Sequence, residues 1–535
     1  VVEGRRLLEL LREEGEARPG RVFSNVGPEQ EFFLVDRELF YLRPDLSATG
    51  RTLFGAAPPK GQEQDDHYFA TTPNRVMAFM QHLERRLWKL GIPIKTRHNE
   101  VAPGQFEMAP IYEPATVAGD HNMLMMDLLH ETAERHGFKC LLHEKPYRGL
   151  NGSGKHDNYS VGDDLGNNMF DPGDNPHENQ RFMVFLTALI AAVDDHQDLL
   201  RASIAFAGND HRLGANEAPP AIISIFLGSD LQAIIDDLID EQAPKGASGE
   251  VLHLGVDTLP DIRRDSTDRN RTSPFAFTGN KFEFRALGSS QSIAMPNYVL
   301  NTILAEALDE ISDAIEALPA DGRDAVAIEA LLRARLTAHK RILFPGDNYS
   351  KDWEDEAERR GLLNLRNTPA ALAHLNDEKN LKLFSRYGVL SEREWRSRTE
   401  IQAESYHEKL RVEARVMVDM AATLFMPAAL RAQKKTADSI LAARKALDGL
   451  DLGVQERHLR RIASLITEMQ AAIDALRELI ADDDAGDDPV AATKVARDNF
   501  VPAMDALRDA ADGLETLVAD DLWPIPKYRE LLTVH

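Results

Sequence analysis

Apolar positions change period several times along the chain, and each change marks an element. Val2, Leu7, Leu8, Leu10 and Leu11 recur at helical spacing. In Val26-Gly-Pro-Glu-Gln-Glu-Phe-Phe-Leu-Val35, a Gly-Pro opening leads into the bulky run Phe32 to Val35, which predicts a strand. Residues 43–70 are polar with Gly and Pro and predict a loop, after which helical spacing returns over about 74–90. Two short extended stretches flank Pro103-Gly104 within 94–112 and predict a hairpin. A helix over 121–137, a strand over 139–144, a Gly-rich stretch at 149–155, extended chain over 157–161 and a helix over 182–200 follow. Residues 207–220, rich in Gly, Asn and Pro, predict a loop, and 231–241 a helix. At 279–285, Phe282 and Phe284 alternate with Lys281, Glu283 and Arg285, a strand with one apolar and one charged face. From Asn297 the chain reads as nearly all helix, less regular over 344–380. Heptad-like patterns over 391–517 are broken by an acidic loop at 482–488.

Length and charge narrow the classes. At 535 residues the chain exceeds one core and suggests about three or four domain-sized units. A net charge of −25 argues against nucleic acid or an anionic membrane as partner, since both need basic patches. A single cysteine, Cys140, excludes an intrachain disulfide framework and fits a reducing cytoplasm. The longest apolar runs, such as Phe185 to Val193, are too short to span a bilayer. No secretory signal or internal repeat is visible. The chain opens at Val1 inside a helical pattern, which leads us to expect a further segment upstream.

The polar positions carry the chemistry. On a strand, Glu29 and Glu31 share a face, and two carboxylates beside a buried run are costly without a positive charge between them. A divalent cation meets that need, and oxygen ligation favours Mg²⁺ or Mn²⁺; taken alone, the pair better suits the solvent face of an ordinary strand, since exposed Glu is the norm, and the residues further along the chain overturn that. Glu100 and Glu107 would face opposite ways on one strand, but the turn at Pro103-Gly104 can bring them together. Gly149 to Lys155 fits the spacing of a P-loop, yet His156 stands where Ser or Thr is needed and extended chain follows, so that reading is rejected. The glycines instead allow close backbone approach to a ligand, with His156 able to bind a metal. Five glutamates (Glu29, Glu31, Glu100, Glu107, Glu283) and His156 can hold two or three divalent ions. Arg212, Arg269, Arg271 and Arg285 can clamp phosphates and a substrate carboxylate. That is equipment for phosphoryl transfer to an acidic small molecule.

Several of these segments resemble glutamine synthetase, in the same order. They are Gly27-Pro-Glu-Gln-Glu31, Asn99-Glu-Val-Ala-Pro-Gly-Gln-Phe-Glu107, Asn151-Gly-Ser-Gly-Lys-His156 and Asn280-Lys-Phe-Glu-Phe-Arg285. Gly208-Asn-Asp-His-Arg-Leu-Gly-Ala-Asn-Glu-Ala-Pro-Pro220, the string Asp268 to Arg285 and the helical C-terminal extension resemble the type III branch. The resemblance implies an α+β catalytic fold, a curved and mainly antiparallel sheet lined by metal ligands and wrapped by helices. It implies a catalytic domain over 1–370 and a structural helical region over 371–535. Glu31, Glu100 and Glu107 would hold one metal, and Glu29, His156 and Glu283 a second. Asn151, Gly152, Arg212 and Arg285 would grip glutamate, with Arg285 also on the transferring phosphoryl group. Arg271 and Lys281 would contact ATP phosphates, with Asn158 and Ser160 near the nucleotide. Asn158 departs from the histidine of the commonest branch, which puts its role in doubt. Glu217 would be the flap residue that closes over the acyl phosphate and takes a proton from ammonium. The implied reaction joins glutamate and ammonia at the expense of ATP through γ-glutamyl phosphate, in a cytoplasmic double-ring dodecamer. Each site would be completed across a subunit boundary by an N-terminal β-grasp domain that residues 1–25 do not supply. Another ligase or guanidino phosphotransferase on the same sheet, and a non-catalytic homologue, are the alternatives; the full ligand set argues against the second.

Overall fold

The computed structural model describes residues 2–12, 16–214, 218–240, 251–252, 262–263, 272–319, 323–483 and 488–534. The predicted strand at 26–35 is the centre of a longer one, β1 (Val22–Asp36). The other strands are β2 (Ile94–Asn99), β3 (Gln105–Pro110), β4 (Glu113–Pro114), β5 (Phe138–Leu141), β6 (Gly154–Asp163) and β7 (Ile225–Phe226). A separate ribbon, β8 (Val251–Leu252) with β9 (Ile262–Arg263), precedes β10 (Phe275–Phe277) and β11 (Phe282–Gly288). The main sheet runs β2-β3-β1-β6-β11-β10-β7, with β4 and β5 also on β1. All its pairings are antiparallel except β10 with β7. The α+β architecture expected from the resemblance is therefore present.

Alternation along the strands separates a polar face from a packed one. Phe282 and Phe284 turn into the largest core with Tyr159, where the helices Gln180–Asp195 and Ala294–Glu316 cover them. Phe32 and Leu34 pack with Phe106 and Met108 under the helices Asn74–Lys89 and Ala115–Arg135. A third core holds the C-terminal helices. Glu392–Met420 continues through one π turn into Met426–Ala446, and Gly453–Asp482 and Pro489–Glu515 pack alongside. No helix of the described residues is long and apolar enough to cross a membrane.

Several stretches differ from the periodicity reading, among them the expected loop over 207–220, which begins as a short helix, Ala207–Asp210. The loop at 43–70 contains short helices at Pro44–Thr49 and Asp66–Phe69, too brief to carry a repeat. The helix expected over 182–200 breaks at His196, whose φ of −122° leaves the helical region. The helix expected from 121 starts at Ala115, directly behind Pro114, which ends β4.

The chain's last turn returns to the main sheet, against β1. Tyr528, Leu531 and Leu532 are buried with Phe33, Val35 and Tyr147. Fully buried Arg43 and Asp45 tie this junction, with Arg43 Nε donating to Asp45 Oδ1 at 2.9 Å and Nη1 to the Pro526 carbonyl at 2.8 Å. Asp45 also accepts the backbone N–H of Leu46 and Leu53. Asp45→Ala leaves the guanidinium buried without its counter-charge and should cost about 3–5 kcal/mol. Chemical denaturation checks it; a loss under about 1 kcal/mol would mean the pair is dispensable.

Candidate functional site

The strand register assembles the polar face. Glu31 on β1 stands opposite Glu107 on β3, and Glu107 in turn opposite His98 on β2. On the other side Glu29 pairs with His156, and Asn158 with Glu283 on β11. Glu100 follows the end of β2 and its N–H bonds the Gln105 carbonyl at 2.9 Å, so the 100–104 turn brings it back beside Glu107. Gly104 sits there at φ +74°. Lys281, Glu283 and Arg285 share the charged face predicted for their strand. A cavity of about 930 Å³ opens over this face. Glu29, Glu31, Glu100, Glu107, Asn151, Gly152, His156, Asn158, Ser160, Arg212, Lys281, Glu283 and Arg285 all line it. Glu217, Arg269 and Arg271 lie outside the described residues.

The charges are strongly coupled. His156 Nδ1 lies 3.3 Å from Glu29 Oε2. Burial opposes the imidazolium, but the Glu29 hydrogen bond and charge, aided by Glu31, raise His156 to about 9. For Glu29 burial works upward, and His156 with the Asn158 amide outweighs it and lowers the carboxyl. Burial raises Glu107, and Glu29 and Glu31 push the same way, against the His98 hydrogen bond. At Glu283 burial also works upward, but Arg285 and Lys281 hold the carboxyl down to about 2. Arg285 donates from both Nε and Nη2 to Glu283 Oε2 at 3.0 Å. Lys281 reaches Asn158 Oδ1 and, at 3.2 Å, Glu283 Oε1.

His98 is a site residue that the motif reading missed. Its Nε2 lies 2.9 Å from Glu107 Oε1 and its Nδ1 3.4 Å from Glu100 Oε1. Ligand atoms of His98, Glu100 and Glu107 fall within 4.8 Å of one another. The available signal was alternation, since 98 and 100 share a strand face. Carboxylate oxygens with one or two imidazoles suit Mg²⁺ or Mn²⁺, and among the described residues imidazoles, Lys281, Arg285 and Arg212 are the positive groups that share the cavity face with these acids. The donor set therefore fits a divalent ion.

The glycines of Asn151-Gly-Ser-Gly make room for Arg212. A Cβ on Gly154 would lie 2.3 Å from Arg212 Nη2, and one on Gly152 would lie 2.2 Å from the Glu144 carbonyl. Arg212 donates to the Leu287 and Arg285 carbonyls at 3.2 and 3.3 Å, which aims it along the strand that carries Arg285.

Known sequences resemble the chain along its length. The family model "Glutamine synthetase, catalytic domain" matches residues 5–205, and "Glutamine synthetase C-terminal domain" matches 327–444. A type-3 glutamine synthetase of Dictyostelium discoideum is 47% identical over 517 residues, covering 96% of this chain and 70% of its own. Glutamine synthetases of Bacteroides fragilis and Butyrivibrio fibrisolvens are 44% and 40% identical, over 96% and 98% of this chain and 71% and 75% of theirs. Identity at this level, across both the sheet and the helical region, means that the chain belongs to the glutamine synthetase family, whose members are glutamate–ammonia ligases.

Proposed function

We propose that residues 1–370 form the catalytic domain of an ATP-dependent glutamate–ammonia ligase that assimilates nitrogen in the cytoplasm. Residues 371–535 serve its structure and its assembly into a double-ring dodecamer, with active sites at subunit boundaries. The observation that carries this reading is the convergence of every described candidate on one cavity.

Glu31, Glu100 and Glu107 would hold one divalent ion, and Glu29, His156 and Glu283 a second. Bound there, Mg²⁺ or Mn²⁺ neutralises carboxylate and phosphate charge. Asn151, Gly152 and Arg212 orient glutamate so that its γ-carboxylate oxygen meets the ATP γ-phosphorus. Arg285 takes up charge on the phosphoryl group as ADP leaves. Lys281, Asn158 and Ser160 border the nucleotide end, where Arg271 joins them by its place in the motif. Ammonia then attacks the acyl carbon of γ-glutamyl phosphate and phosphate leaves. By the same motif match, Glu217 accepts the proton lost by ammonium and helps exclude water from the acyl phosphate.

Measuring ADP and glutamine together, with ATP, glutamate and ammonium supplied, tests the reaction. Faster product formation with amines or guanidines than with ammonia would favour a different nucleophile. Millimolar Mg²⁺ or Mn²⁺ should also raise the melting temperature by several degrees, because the clustered carboxylates repel one another until neutralised. The shift should largely vanish in Glu31→Ala and Glu283→Ala. A melting temperature blind to divalent ions would remove the metal sites.

A further inference from the structure

Between Arg51 and Ala70 the chain runs as a strap from the C-terminal helices to the cavity. At its start Arg51 is held by both oxygens of Glu413, at 2.8 and 2.7 Å. Thr52 Oγ1 bonds the Pro146 carbonyl and the Tyr528 hydroxyl, each at 2.6 Å, and the Gly55 N–H donates to Asp512 Oδ1 at 2.7 Å. At its far end His67 Nδ1 donates to the Glu100 carbonyl at 2.7 Å, and Asn99 Nδ2 donates to the His67 and Ala70 carbonyls. In between, Gln64 and Asp65 adopt successive left-handed conformations, φ 65° and 51°. Side-chain-bearing residues hold that shape only where their surroundings impose it.

The strap's central contact is with the candidate substrate loop. Asn151 N–H donates to Gln62 Oε1 at 2.8 Å, and Gln62 Nε2 donates to Asn151 Oδ1 at 2.8 Å. The orientation of both amides follows from this pair. A backbone N–H can only donate, so the Gln62 atom facing it is the oxygen. The other Gln62 atom is then the NH₂, which can only donate, so the Asn151 atom facing it is also an oxygen. Asn151 Nδ2 is thereby turned away from the strap. It makes no hydrogen bond among the described residues, and Asn151 is 3% exposed and lines the cavity. An amide locked with its donor outward suits a carboxylate; the opposite orientation would present an oxygen and repel it.

We propose that Gln62 is a positioning residue for the glutamate subsite, fixing Asn151 with its NH₂ toward the substrate carboxylate. This rests on the glutamate role proposed above for Asn151. It also gives the strap a function: the C-terminal helices, through Glu413, Asp512 and Tyr528, set where Gln62 stands.

The test is calorimetric titration of L-glutamate into the chain with Mg²⁺ and ADP present, alongside ADP affinity and melting temperature. In Gln62→Glu the introduced carboxylate still accepts the Asn151 N–H but cannot donate, so the Asn151 amide turns over. Glutamate affinity should fall at least tenfold, with ADP affinity and melting temperature unchanged. Gln62→Met, which can neither accept nor donate, should lose glutamate affinity as well, again with ADP affinity and melting temperature unchanged. Asn151→Ala separates the two claims. If it binds glutamate normally, the Asn151 reading fails and this inference with it. If it loses binding while Gln62→Glu and Gln62→Met do not, this inference alone fails. Parallel losses of glutamate affinity, ADP affinity and melting temperature in the Gln62 variants would make Gln62 merely structural and overturn it as well.

Discussion

Arg285→Lys should lower glutamine formation by two to three orders of magnitude while the fold survives. Arg285 is 5% exposed, and its guanidinium meets Glu283 through two nitrogens, Nε and Nη2, both at 3.0 Å from one oxygen. That contact fixes the plane of the guanidinium beside the cavity. An ammonium on a flexible stem keeps the charge but loses the fork, and a point charge cannot span carboxylate and phosphoryl oxygens together. Removing one well-aimed donor to developing anionic charge typically costs about 10²–10³ in turnover. Glu283 keeps Lys281 as a partner at 3.2 Å, so the carboxylate is not abandoned in the variant and stability should change little. Steady-state turnover with glutamate and ammonium saturating is the measurement. Near-normal turnover would take Arg285 out of the transition state.

How much of this site the chain announced depends on the range of the physics involved. Period-two alternation assigns faces without knowledge of neighbours, so Glu29 with Glu31, and Lys281 with Glu283 and Arg285, could be grouped from the sequence and share the cavity face. The hairpin carrying Glu100 and Glu107 was legible for a similar reason, since Pro-Gly marks a turn locally. Register was not legible. That Glu31 faces Glu107 and Glu29 faces His156 depends on how strands about 75 and 125 residues apart slide past each other. Gln62 lay hidden in a stretch read only as polar loop, because its meaning comes from Asn151, 89 residues on. Buried Arg43 was equally silent, since charge patterning suggests solvent until partners such as Asp45 and Pro526 are placed around it.

Divalent-ion affinity should rise steeply with pH, about tenfold per unit below pH 9, and then level off. A metal takes the lone pair of a neutral imidazole, whereas His156 is raised to about 9 by Glu29 and Glu31 against its burial. At pH 7 each ion entering that set must therefore displace a proton. His98, raised to about 9 chiefly by its Glu107 hydrogen bond, adds to the same trend if it enters a coordination sphere. The sign for stability follows from linkage. The folded pKa of His156 lies above the 6.5 of a free imidazole. Its contribution to the metal-free fold is then fully present below pH 6.5 and lost as pH climbs through about 9. The metal-free protein should lose stability across that window, while the ion-loaded protein, which has already surrendered the proton, should not. The gap between the two melting curves must widen with pH. His156→Gln should flatten most of the dependence, because no proton then competes with the ion. Melting curves with and without Mn²⁺ from pH 6 to 9, together with proton release on titrating Mn²⁺ at pH 7, decide the matter. An affinity independent of pH, with no proton released, would show that His156 does not bind the ion.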